Sequence, residues 1–216
     1  QKQSLSNFTY EVKFYSEEWH SIARMCNFSS ADGSRSNMLR FGENGMDVNC
    51  LQWVCPTGSV PSTTRFSTNR WYTLSLTYDG SKFTMYVDGV KDAQLDGDGQ
   101  PVDFQMFEIG MSWTSYRYSQ YFKGRIAEVR VWNRALTPAE LQMGLCAVDP
   151  ASEGLVAYWK MNEGEGHIFH DATGNGYDMD WSNTCREMVE GAGNVFGLDY
   201  SSYVGWDADE KNTCIQ

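Results

Sequence analysis

The stretch Trp71-Tyr72-Thr73-Leu74-Ser75-Leu76-Thr77-Tyr78-Asp79-Gly80-Ser81-Lys82-Phe83-Thr84-Met85-Tyr86-Val87-Asp88-Gly89 decides the fold class. Tyr72, Leu74, Leu76 and Tyr78 recur at every second position, so in extended chain all four side chains point to one side. Asp79-Gly80 offers residues that tolerate positive φ, and Phe83, Met85 and Val87 return with the same period. Asp88-Gly89 supplies a second turn of the same kind. Two strands, a tight turn and another turn behind them open an antiparallel meander.

The pattern extends in both directions. Phe8, Tyr10, Val12 and Phe14 alternate with polar residues, and shorter strands are expected at 37–42, 50–54 and 104–109. From Phe122 to Trp132 both faces carry large side chains, as a central strand does: Ile126, Glu128, Arg130 and Trp132 on one, Ala127, Val129 and Val131 on the other. Leu155, Ala157, Trp159 and Met161 alternate once more. One helix is signalled near 138–145, where Thr137-Pro138-Ala139-Glu140 combines a capping hydroxyl, Pro at the first helical position and Glu three after the cap. The last forty residues read as loops with short strands. Many short strands between Gly, Asp and Asn turns predict an all-β fold, a two-sheet antiparallel β-sandwich or jelly roll.

With 216 residues, 41% of them apolar, the chain suffices for one large domain over 1–216 and carries material for a core. No apolar run reaches the ~20 residues of a membrane helix. Twenty-eight acidic against 17 basic residues leave −11, a field that disfavours nucleic acid and anionic membranes. Six cysteines without a C-x-x-C pair fit a mixture of buried thiols and one or two disulfides, and Cys50 and Cys55 are close enough in sequence to staple a short loop. Gln1-Lys2-Gln3-Ser4 has no signal-peptide character, so the chain is expected to be mature or part of something longer.

Phe122-Lys123-Gly124-Arg125-Ile126-Ala127-Glu128-Val129-Arg130-Val131-Trp132 and the Asn133–Leu141 run after it resemble the signature of concanavalin A-like lectin/glucanase domains, in their laminin-G-like and pentraxin-like branch. The hairpin at 71–89 is similar to that family's central hairpin. Residues 155–178, with Tyr158-Trp159-Lys160-Met161-Asn162-Glu163-Gly164 and Asp171-Ala172-Thr173-Gly174-Asn175-Gly176, resemble a block that opens the domain in many relatives. That order looks like one seen in surface proteins of gut Bacteroidetes such as Bacteroides. The resemblance implies a concanavalin A-like fold, carbohydrate binding, and a place at the bacterial cell surface as a lipoprotein beside an outer-membrane glycan transporter. An accessory domain of a larger glycoside hydrolase, or a calcium-dependent adhesion module, are its alternatives.

Related glucanases carry two carboxylates on one strand as E-x-D-x-x-E, and this chain has no such spacing. Glu128 beside Arg130 reads as an ion pair rather than a general acid, so no enzyme is expected. Family members often hold Ca²⁺; Asp171, Asn175 and Asp178 are the candidate ligands, and an ion-free cluster of Asx turns is the other reading of the same residues. Sugar binding needs exposed rings flanked by hydrogen-bonding groups. Trp113, Tyr116, Arg117, Tyr118 and Gln120 form the densest such stretch, although alternation there would equally suit an edge strand; Trp53 and Trp181 are further candidates. Trp71, Trp132 and Trp159 are expected in core or semi-core positions.

Overall fold

The computed structural model describes residues 3–19, 23–30, 35–42, 45–104, 106–110 and 122–180. Two antiparallel sheets face each other. One runs β11 (Met106–Ile109), β3 (Ala23–Ser29), β4 (Ser36–Phe41), β5 (Cys50–Cys55), β6 (Gly58–Arg65). The other runs β13 (Leu155–Trp159), β12 (Gly124–Trp132), β2 (Phe8–Ser16), β7 (Trp71–Tyr78), β8 (Lys82–Val87), β9 (Val90–Asp96). Two small ribbons flank them: β1 (Gln3–Leu5) with β10 (Val102–Phe104), and β14 (Ile168–Phe169) with β15 (Met179–Asp180). The sandwich, the hairpin and the helix are as the sequence predicts. α1 spans Pro138–Met143, and its capping box forms: the Thr137 hydroxyl accepts from the Glu140 amide, and Glu140 accepts from the Thr137 amide at 2.8 Å.

The core lies between the sheets and is largely aromatic. Phe8 meets Phe28 edge-on at 5.7 Å, Phe14 meets Phe41 at 6.0 Å, and Trp53 packs on Phe83 at 5.5 Å, so each sheet sends rings into the other. The free sheet edges β6 and β9 are clipped together by Asp92. Its carboxylate accepts from the backbone amides of Thr63 and Thr64 at 2.8 and 2.9 Å and from both hydroxyls. Such a clip leaves neither edge open for pairing with another chain. Asp88 and Gly89 both take positive φ, as a two-residue hairpin turn between β8 and β9 requires.

Four expectations need correction. Trp53 is not a surface ring: it stands on the inward side of β5, fully buried, because that side faces the six-stranded sheet. The strand expected at 104–109 is two, since β10 pairs with β1 while β11 pairs with β3. A bulge between Ile126 and Glu128 in β12 breaks the simple alternation. Ile126 therefore pairs with inward Phe14 and packs on the core, while Glu128, Arg130 and Trp132 face outward. Finally, Cys50 and Cys55 are free thiols at opposite ends of β5, roughly 16 Å apart at strand rise, too far for a bond. Cys26 is also free and buried, and Cys146 is disulfide-bonded.

Candidate functional site

The outer face of the six-stranded sheet is organised in rows by strand register. Arg125, Tyr15 and Trp71 pair across β12, β2 and β7; then Glu128, Lys13 and Thr73; then Arg130, Glu11 and Ser75; then Trp132, Thr9 and Thr77. The Trp132 end is covered. There α1 and its flanking segments bury a second apolar cluster of Tyr86, Trp132, Leu136, Leu141, Leu155 and Tyr158. Beyond the reach of that cover, Arg125, Tyr15 and Trp71 stay half-exposed. Burial thus grades along one sheet face from a wet end to a dry one.

At the wet end the Tyr15 and Trp71 rings lie 5.5 Å apart, inclined by 50°. The Arg125 guanidinium sits 5.1 Å from the Tyr15 ring and 3.6 Å from Glu17. The Tyr15 hydroxyl donates to Asn69 Oδ1 at 3.1 Å. Asn69 takes φ 59°, and its amide donates to the Ser16 carbonyl at 2.8 Å, which anchors the turn leading into β7. Gly124 lets β12 pass close to β2 here: a Cβ on it would overlap the Tyr15 carbonyl. The outcome is a fixed aromatic pair bordered by an amide, a guanidinium and a carboxylate. Rings of this kind stack on the C–H faces of sugars, and the border groups answer their hydroxyls.

Next to it lies an ionic network. Arg130 stands between two carboxylates, bonding Glu128 through Nη2 and Glu11 at 3.4 Å through Nη1, and Nη1 also donates to the Gly144 carbonyl behind α1 at 2.8 Å. The Trp132 indole donates to Glu11 at 2.8 Å, and the Tyr158 hydroxyl donates to Glu128 at 3.0 Å. Burial holds the Glu11 carboxyl above its ordinary range, against the pull of Arg130, the Trp132 indole and Ser75. Burial, then the Glu128 charge, pushes Tyr158 up to about 12. The Glu128–Arg130 ion pair is as the sequence suggests. Glu11 was not legible as its partner, because it enters from β2, more than a hundred residues away.

The remaining candidates divide. Trp113, Tyr116, Arg117, Tyr118, Gln120 and Trp181 lie outside the described residues. The ends that flank 111–121 are joined, the Phe122 amide donating to the Gly110 carbonyl at 2.7 Å, and Phe122 packs edge-on against the inward Phe14. Asp171, Asn175 and Asp178 are brought together in one turn. Asp171 Oδ1 accepts from the Tyr158 and Thr173 amides and from the Thr173 hydroxyl, while Oδ2 accepts from that hydroxyl and the Tyr177 amide. Asp178 accepts from the Asp171 amide at 2.8 Å and meets His170 Nδ1 at 3.1 Å; the Asn175 amide group donates to the Val156 carbonyl at 2.9 Å. These bonds are those of an Asx-turn cluster, one of the two readings of these residues. Among the described residues, no group of three or more His, Cys, Asp or Glu side chains is placed to hold a metal. Trp71, expected in a core or semi-core position, is half-buried, on the outer side of β7.

Comparison with known proteins agrees with this architecture. A protein from Bacteroides ovatus, named only provisionally as carbohydrate binding, superposes with a TM-score of 0.70 at 31% identity, over 80% of this chain and 51% of its own length. This chain therefore spans about half of that protein. The SAP-like pentraxin of Limulus polyphemus matches at 0.51 and 10% identity over 67% of this chain and 73% of its own. The CBM40 module of a Ruminococcus gnavus sialidase, solved with sialyllactose, matches at 0.50 and 12% over 65% and 83%. At such identities the last two speak for the fold alone. No curated protein matches the sequence. The profile described as laminin G, concanavalin A-like lectin/glucanases superfamily, matches residues 1–142, which is two thirds of the chain, and the chain belongs to that family.

Proposed function

We infer that this chain is a non-catalytic carbohydrate-binding module of a bacterial cell-surface glycan-capture protein that works beside an outer-membrane transporter. The observation that carries the reading is the half-exposed Tyr15–Trp71 pair with Asn69 and Arg125 at its border. The 31%-identical Bacteroides protein supports the ligand class. The carboxylates Glu11 and Glu128 are both drawn onto Arg130 and almost out of contact with water, where a glycosidic oxygen does not reach them. The surface location and the transporter rest on the resemblance to Bacteroidetes surface proteins.

A glycan array followed by calorimetric titration tests the reading. Trp71→Ala is expected to weaken the bound glycan roughly tenfold or more, the effect of truncating a central aromatic contact, with little change in melting temperature. An array without a single bound glycan, or a Trp71→Ala protein with wild-type affinity, would overturn it.

A further inference from the structure

The two rings of the wet row are not equally free. Tyr15 is enclosed within the row, with the Arg125 guanidinium 5.1 Å from its ring on the β12 side and the Trp71 ring 5.5 Å away on the β7 side. Trp71 has a strand beside it on one side only. β7 begins at Trp71, but its pairing with β8 begins at Leu74, opposite Val87. At Asp88 the chain turns back: the Asp88 amide donates to the Thr73 carbonyl at 2.8 Å, and Asp88 Oδ1 accepts from the Thr73 amide at 2.8 Å. Thr73 thus turns its backbone groups to the β8 side, and by strand alternation Trp71 does the same, at a point β8 does not reach. The Trp71 ring, its N–H and its C=O therefore border a lane that a longer β8 would have filled. The head of the lane is closed by Asp88 and buried Gly89, where Gln142 of α1 donates to the Asp88 carbonyl at 3.2 Å. Its mouth opens beside Asn69 and Arg70, both exposed. Arg70 Nη2 meets Asp88 Oδ2 at 3.1 Å with the side chains 60% and 37% exposed, so a guanidinium and a carboxylate border the lane within reach of a solute.

We propose that this lane takes the non-reducing terminal unit of a glycan, whose ring stacks on Trp71. This rests on the carbohydrate-binding reading and adds to it the part of the glycan that is held. The open stretch is two residues of β7, Trp71 and Tyr72, or ~7 Å at strand rise. That length admits one pyranose, and the turn at Asp88 stops a chain from running on past it. A terminal unit carries adjacent free hydroxyls, each able to donate and to accept. The Asp88 carboxylate and the Trp71 carbonyl accept, while the Arg70 guanidinium and the Trp71 amide donate. An internal unit has given up one of these hydroxyls to its linkage and needs a groove open at both ends. Attachment to a carrier consumes the reducing end, which leaves the non-reducing one free. Two residues of open edge are too few to seat an added strand, so an extended peptide does not suit the same lane.

The test titrates the full chain with an oligosaccharide ladder of the glycan that binds on the array. Affinity should stay within ~3-fold from the disaccharide upward, because added units lie outside the lane. Methyl ethers placed in turn on the free hydroxyls of the non-reducing unit should cost at least ~10-fold at one position or more, since a lane group then loses its partner. Reduction of the opposite end to the alditol should change affinity by no more than about twofold. Asp88→Asn keeps an acceptor for the Thr73 amide and suits the φ of 49° at this position, but it removes the charged acceptor, and it should weaken binding ~10-fold. Should that variant fail to fold, the ladder and the methyl ethers decide with the wild-type protein. Affinity that climbs with every added unit, methyl ethers that all bind like the parent, or a folded Asp88→Asn protein with wild-type affinity would overturn this inference. If Trp71→Ala still weakens such binding, the carbohydrate reading stands. No binding to any glycan would overturn both.

Discussion

Replacing Arg130 by Met should be among the most damaging single changes in this protein. The guanidinium is 3% exposed and lies between Glu11 and Glu128, whose side chains are 4% and 6% exposed. Met fills much of the same volume but leaves two buried carboxylates without their cation and the Gly144 carbonyl without its donor. Removing one partner of a buried ion network typically costs about 3–5 kcal/mol. At ~2–4 °C per kcal/mol for a domain of this size, the melting temperature should fall by roughly 6–20 °C at pH 7. The loss should depend on pH. Glu11 is held above its unfolded-state value, so its native form binds a proton more tightly; that contribution to stability is full below the unfolded value and is lost as pH rises through the folded one. Without Arg130 the carboxyl rises further, and acidification from pH 7 to pH 5 should recover part of the deficit. Guanidinium melts of both proteins at the two pH values measure it. The triple change Glu11→Gln, Glu128→Gln, Arg130→Met should regain most of the stability, because no buried charge is then left unpaired. A deficit below about 1 kcal/mol, or one equal at pH 5 and pH 7, would refute the assignment of Arg130 as the keystone of a buried network.

Two further outcomes bear on Trp53 and Asp171. Trp53→Ala should cost ~3–5 kcal/mol of folding stability and leave glycan affinity of the folded fraction intact, since the ring is core; an unchanged melting temperature would return Trp53 to the surface. Asp171→Asn should lower stability by ~1–3 kcal/mol through its amide and hydroxyl donors, by the same amount in calcium and in chelator if the residues form only an Asx-turn cluster; calcium stabilisation that disappears with this substitution would assign them to an ion site instead.

The strands were legible where period-2 alternation was undisturbed, as in Phe8–Phe14 and Trp71–Val87, and the helix was legible through its capping box. Reading failed where a bulge intervenes. Met25 interrupts the register of β3 between Arg24 and Cys26, so that strand carries no clean alternation, and the bulge at Ala127 put Ile126 on the wrong side. Both are local insertions whose position depends on the partner strand. The candidate site was hidden for a related reason. Searching loops for aromatics found Trp113 and missed Trp71, because a tryptophan in a family block looks structural until it is known which end of the sheet is covered.

What the sequence determined by itself was every property that depends on neighbours along the chain: strand period, turn chemistry, the helix start, and the lack of a paired-carboxylate motif. What only the tertiary structure decided was which outward-facing residues share a row and which rows stay wet. Tyr15, Trp71 and Arg125 come from three strands up to 110 positions apart, and Glu11 meets Arg130 across 119. Alternation assigns a side chain to a face of its own strand; the strand order and the placement of α1 over one end of that face then determine whether it becomes core, ion pair or binding surface.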